Sequence, residues 1–197
     1  MDDLSKVLSE VWFGPVKDEF KRGFLTYERQ AQAFICNCLK DNLPNSQIWI
    51  EPLLNLEDRS VMIPDIVITK GDFIEAIIEL KWKPWEFPQY QYDLQKLKLL
   101  SEYSGDHNFT FGWKPISDNW NLQKNYKETH SYRLRKGFLK VMMVMAKRGS
   151  GFFSSDNFVS RLGIENAKDW KFLGGQIENG KSEDSGFYER LTTTITL

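Results

Sequence analysis

Two apolar, β-branched runs separated by Lys70-Gly71-Asp72 constrain this chain more than any other feature. Met62 to Thr69 carries Ile63, Ile66, Val67 and Ile68, and Phe73 to Trp82 carries Ile74, Ile77, Ile78 and Leu80. Such side chains fit the pleated surface of a strand, and a short polar turn with a glycine brings the chain back on itself, so the pair is predicted as a hairpin. A third run, Gln47 to Leu54 with Ile48, Trp49 and Ile50, reads as a strand before it. Phe138 to Ala146 is almost continuously apolar through Leu139, Val141, Met142, Met143 and Val144, which predicts a strand buried on both faces.

Helical spacing appears on either side of these strands. Leu4, Val7, Leu8, Val11 and Trp12 predict a helix from Asp2 to Phe13, stopped by Gly14-Pro15. Thr26 is the expected N-cap of a second helix, whose stripe of Tyr27, Ala31, Phe34, Ile35, Cys38 and Leu39 ends near Asn42-Leu43-Pro44. A third fits Tyr90 to Tyr103 with Tyr90, Leu94, Leu97 and Leu100 inward. Trp113 to Arg135 has no clean period and reads as a long loop or insertion. Trp170 to Glu178 and Phe187 to Leu197 read as two strands around a polar turn. The order, roughly α-α-β-β-β-α-β with a β tail, implies a mixed α/β sheet with helices against it.

At 197 residues the chain suits a single domain, with a core from about residue 24 to 148 and residues 149–197 as a C-terminal β extension. Its 41% hydrophobic and 27% charged content excludes disordered, collagenous and membrane classes. No run approaches the roughly 20 apolar residues that cross a bilayer, and the start lacks the basic and apolar stretches of a secretory signal, so an intracellular, cytoplasmic protein is expected. Cys36 and Cys38, two apart on a helix, point in different directions and read as reduced thiols. A zinc site built from them with His107 or His130 has little support in the spacing. The net charge of -1 leaves any nucleic-acid binding to local patches.

The chemistry concentrates on the second strand of the hairpin. Alternation sends Ala76, Ile78, Leu80 and Trp82 to one face and Glu75, Ile77, Glu79 and Lys81 to the other. Asp65, after Pro64, lies on the preceding strand, and in the register the turn suggests it converges with Glu79, the arrangement a hard divalent cation such as magnesium needs. A bland alternative is a solvated strand face. Glu28 sits on the same helical side as Ala31 and Ile35, which points its carboxylate toward the sheet or leaves it reaching water at the helix edge.

Pro64-Asp65, thirteen intervening residues and Glu79-Leu80-Lys81 together resemble the signature of the PD-(D/E)XK nuclease superfamily, with its restriction-endonuclease-like fold. The resemblance extends over about Thr26 to Ala146: Glu28 is similar to the acidic residue many members carry on the first core helix, and the later helix and apolar strand continue an α-β-β-β-α-β core. The Gln-x-x-x-Tyr pattern of the RecB-like branch is not met. The resemblance implies a metal-dependent nuclease in which Asp65, Glu79 and the Leu80 carbonyl bind Mg2+, with Mn2+ as a substitute. Lys81 would orient or help deprotonate the attacking water, and Glu28 would support a metal-bound water or a second ion.

The implied partner is nucleic acid, with DNA first, and a homodimer or a protein partner is compatible with the size and charge. The alternative is a catalytically silent scaffold of the same fold. Lys83, Trp85, Asp93 and Lys96 are the candidate substrate contacts, Trp85 in a loop past Lys81 and Asp93-Lys96 on the following helix. An ordinary i,i+3 ion pair explains Asp93 and Lys96 equally well. Further phosphate contacts are sought among Lys98, Arg133, Arg135, Lys136, Lys147 and Arg148, and base-stacking rings among Trp82, Tyr90 and Tyr92.

Overall fold

The structure, a computed structural model, describes residues 2–55, 61–82, 88–103, 108–112, 130–147, 169–177 and 185–190. The chain begins with α1 (Asp2–Val11), passes through a wide turn at Trp12–Val16 and continues as a short α2 (Lys17–Lys21). The expected stop at Gly14-Pro15 is a kink instead. Gly14 leaves helical geometry at φ −98° and ψ −105°, and the helix resumes after Pro15, whose fixed φ suits a first turn.

α3 (Glu28–Asn42) starts one residue later than Thr26 predicts, with Tyr27 as the capping position and no side-chain cap. Thr26 still organises the start: its N–H and its hydroxyl both reach Gln30 Oε1, at 3.0 and 2.9 Å. The helix ends at Leu43, which precedes Pro44 and takes φ −127°, as a residue before proline must when the helical region is closed to it.

The strands are β1 (Gln47–Ile50), β2 (Leu53–Asn55), β3 (Val61–Met62), β4 (Ile66–Lys70) and β5 (Phe73–Trp82). After α4 (Pro88–Glu102) come β6 (Asn108–Gly112), β7 (His130–Lys147), β8 (Trp170–Ile177) and β9 (Ser185–Arg190). They form one mixed sheet. Its centre runs β1-β4-β5-β7, with β5 parallel to β7 and the other two pairs antiparallel. The early residues of the long β7 pair with β6, and its later residues pair in parallel with β8.

Several expectations are corrected here. Met62 to Thr69 is not one strand: β3 ends at Met62 and pairs with β2, β4 begins at Ile66, and Asp65 lies in the bend between them. Gln47 to Leu54 is two strands that separate toward different parts of the sheet, because Glu51 adopts φ +46° and Pro52 offers no N–H to a ladder. β6 falls where no strand was expected, and β7 begins at His130, inside the segment read as a loop; residues 113–129 lie outside the described residues. The polar turn at 179–184 and residues 191–197 also lie outside them, so the last strand is seen as Ser185–Arg190.

The β4–β5 hairpin closes on Gly71 and Asp72, with Gly71 at φ +56°, the positive value that glycine alone adopts without steric cost. A bulge between Ile74 and Ala76 interrupts the alternation of β5, so the two-residue period holds from Ala76 onward. Ala76, Ile78 and Leu80 pack with Leu8, Trp12, Ile35 and Leu39 on one face, under α1 to α3. Ile74 and Ile77 pack with Leu94, Leu97 and Leu100 of α4 on the other. β8 belongs to the core: Trp170 and Phe172 join the α4 side and Leu173 the other. No described helix is long and apolar enough to cross a membrane.

Candidate functional site

The bulge in β5 and the register of the hairpin together fix where the charged residues meet. Ile66 pairs with Ile78, so Asp65, one residue before β4, stands opposite the Glu79-Leu80 step. Asp65 Oδ2 accepts the Leu80 N–H at 2.6 Å. The Asp65 backbone is held as well, since its carbonyl accepts Gln32 Nε2 at 2.8 Å and the Glu51 N–H at 3.0 Å. Gln32 is a site residue that strand-based reasoning missed. Its signal is the i,i+4 spacing from Glu28, which puts both on the face of α3 turned to the sheet.

Glu28 contributes from that same face: its Oε2 accepts the Trp82 N–H at 3.0 Å, tying the first turn of α3 to the end of β5. The helix-edge alternative for Glu28 gives way to a carboxylate that is half-buried and bonded to the sheet. Across the sheet, α4 supplies Asp93 and Lys96. Lys81 Nζ lies 3.0 Å from Asp93 Oδ2, while Lys96 Nζ lies 3.0 Å from Asp93 Oδ1 and 2.7 Å from Glu79 Oε1. Asp93 thus gives one oxygen to each lysine.

Glu79 is 1% exposed, which excludes the solvated-strand reading of its face. Its buried Oε1 meets the Lys96 ammonium at 2.7 Å, a charge-assisted contact bent away from ideal hydrogen-bond alignment. Burial, followed by the nearby Asp65 charge, pushes the Glu79 carboxyl up to about 8 against the pull of Lys96. Burial also raises Asp65, opposed by the Leu80 N–H and by Lys81 and Lys96, and raises Glu28, opposed by the Trp82 N–H and Lys81. For both lysines burial acts downward, but Asp93 acting on Lys81, and Glu79 with Asp93 acting on Lys96, more than offset it. Both remain ammonium ions. Four carboxylates against two ammonium groups leave a formal charge of −2 in the cluster.

Asp65, Glu79, Leu80, Lys81, Glu28, Asp93 and Lys96 are therefore brought together. Asp93 and Lys96 do form the i,i+3 pair, with Asp93 buried and Lys96 half-buried in the cluster rather than on the surface. Arg133 and Arg135 sit at the opposite end of β5, over the Phe73 ring at 4.6 and 4.8 Å, with Arg135 also 2.7 Å from Glu75. Trp82 packs edge-on against Phe20, and Tyr92 is exposed with its ring 5.7 Å from Lys96 Nζ. Lys83, Trp85, Arg148 and the side chains of Tyr90, His107, His130 and Lys147 lie outside the described residues. Cys36 is buried and Cys38 half-buried, both as free thiols, with burial pushing Cys36 up to about 12.

The residues fit a hard divalent cation in part by charge and in part by geometry. Among the described residues no three acidic, imidazole or thiol groups are gathered closely enough to hold a metal by themselves. Magnesium takes one or two protein carboxylates and keeps several waters, which a pair such as Asp65 and Glu79 supplies. The buried Glu79 Oε1, in contact with the Lys96 ammonium, is a metal ligand of the required kind. Compared with known proteins, the chain matches no family model, no curated protein and no solved structure.

Proposed function

We propose that the chain is a magnesium-dependent nuclease hydrolysing phosphodiester bonds, with DNA as its substrate class, built on the restriction-endonuclease-like plan. The observation that carries this reading is half-buried Asp65 beside buried Glu79 at the end of a strand hairpin, with Lys81 two residues on and the buried Glu79 Oε1 met by the Lys96 ammonium. The succession α3, β1, β4, β5, α4, β7, in which β7 lies parallel beside β5, supports the α-β-β-β-α-β plan.

Asp65 and Glu79, with the Leu80 carbonyl, would hold the ion, which when bound supplies a more acidic coordinated water and charge for the phosphate oxygens. The chain's own groups do the rest. Asp93 keeps Lys81 charged and aimed, so Lys81 serves as an ammonium that orients the attacking water and stabilises charge building on the phosphate. Glu28, whose carboxyl is raised by burial and fixed by the Trp82 N–H, would support a metal-bound water or a second ion. Gln32 and Glu51 hold the Asp65 backbone, which keeps the carboxylate in register with Leu80.

The test is cleavage of labelled single-stranded, duplex and branched DNA and of RNA, in magnesium, manganese or chelator. Wild type should cut in metal and not in chelator, and Lys81→Ala and Asp65→Ala should each lose at least about a hundredfold in rate. Undiminished cutting by both variants would remove the assignment, and no cutting by any protein would move the reading to a binding module.

A further inference from the structure

We propose that Lys96 is a tethered counter-ion that occupies the Glu79 carboxylate in the metal-free protein and yields it when a divalent cation binds. This rests on the metal site proposed above and adds a residue that sets its affinity. Lys96 Nζ is 2.7 Å from the buried Glu79 Oε1, the oxygen the ion would take. A cation bound to that oxygen and an ammonium at the same distance cannot coexist without strong repulsion. One of them must leave.

The surroundings give Lys96 a place to go. Its ammonium already touches Asp93 Oδ1 at 3.0 Å, and the flexible four-carbon stem lets it give up Glu79 while keeping Asp93. Asp93 then remains fully paired, since its other oxygen is held by Lys81. With all four carboxyls ionised the formal charge of the cluster is −2, the amount one divalent cation neutralises, so the cation completes the balance while Lys96 stays on Asp93. In its absence Lys96 prevents an uncompensated carboxylate from standing in the core, where a lone buried charge is strongly destabilising.

The experiment titrates magnesium chloride, and separately manganese chloride, into wild type, Lys96→Met, Lys96→Arg and Asp65→Asn, read by calorimetry and by the shift in Tm. Lys96→Met should bind the ion about ten- to hundredfold more tightly than wild type, in the usual range for coupled sites. Its Tm should be lower in chelator and recover more than wild type when metal is added. Lys96→Arg, which keeps the charge, should stay near the wild-type affinity. Equal or weaker binding by Lys96→Met, with wild-type binding lost in Asp65→Asn, would overturn the counter-ion role and leave the metal site standing. Tightening in Lys96→Arg as well would also overturn it, by assigning the effect to packing. Absence of any Asp65-dependent binding would overturn the metal reading and this inference with it.

Discussion

Glu79 is a carboxylate in a position that favours its neutral form. Its folded value of about 8 stands above the ordinary 4.5 because burial and Asp65 oppose ionisation. The protonated carboxyl is therefore what the metal-free fold stabilises, and that contribution is complete below about pH 4.5 and lost as pH rises toward 8. In chelator, thermal melts between about pH 5 and 9 should show Tm falling with pH. Glu79→Gln should flatten that slope and raise Tm at the alkaline end, at the expense of metal-dependent cleavage; an equally steep slope in the variant would refute this. Asp65, Glu79 and Lys81 could be read from the chain because strand alternation and a two-residue turn are local rules. The pairing of Lys96 with Glu79 could not, since it depends on how α4 lies across the sheet. Gln32 was hidden for a similar reason: a buried glutamine gains meaning only from the carbonyl it meets.

Local rules also succeed or fail element by element. β5 has the bounds its sequence predicts, because ten residues of strand-forming side chains end in a turn with glycine at positive φ. Gln47 to Leu54 misleads because the pattern does not reveal that Glu51 turns the chain out of the ladder. β7 is most legible in its apolar half. Its first residues, His130 to Lys136, alternate polar side chains with buried Tyr132 and Leu134, a short strand pattern that a loop reading of the segment misses. The join between the halves is a break in register against β5, where Gly137 takes φ +72°. Gly137→Ala should cost about 1–2 kcal/mol in a urea titration, since an L side chain resists that conformation. No loss of stability would mean that the strand re-registers freely. Lys140, buried beyond this point beside the Phe138 and Trp170 rings, has its ammonium pulled down by burial, partly opposed by Asp169.

On the scale of the molecule, the two faces of the sheet hold separate core clusters, and the sheet between them carries the charged site at the end of β5. Among the described residues, side-chain bonds tie the start of the chain to β8. Trp12 Nε1 donates to the Gly174 carbonyl at 3.3 Å, and Lys171 Nζ reaches Ser5 Oγ at 3.1 Å. Trp12→Phe keeps most of the apolar contact and removes the donor, so it should cost about 1–3 kcal/mol and loosen α1 and β8 together in hydrogen exchange. Loosening confined to α1 would show that the strand does not depend on the helix. None of this long-range pairing has a local sequence signal.

The bond from Trp12 to Gly174 spans 162 positions of sequence, which sets a timetable for biosynthesis. α1 leaves the ribosome well before the strand on which it docks. At about 5–20 residues per second of translation, the Trp12 Nε1–H waits roughly 8–30 s for its acceptor, while α3 and β5, made earlier, already offer Leu8 and Trp12 apolar cover. Until then that buried donor stands without its acceptor, and folding is completed only once β8 is in place.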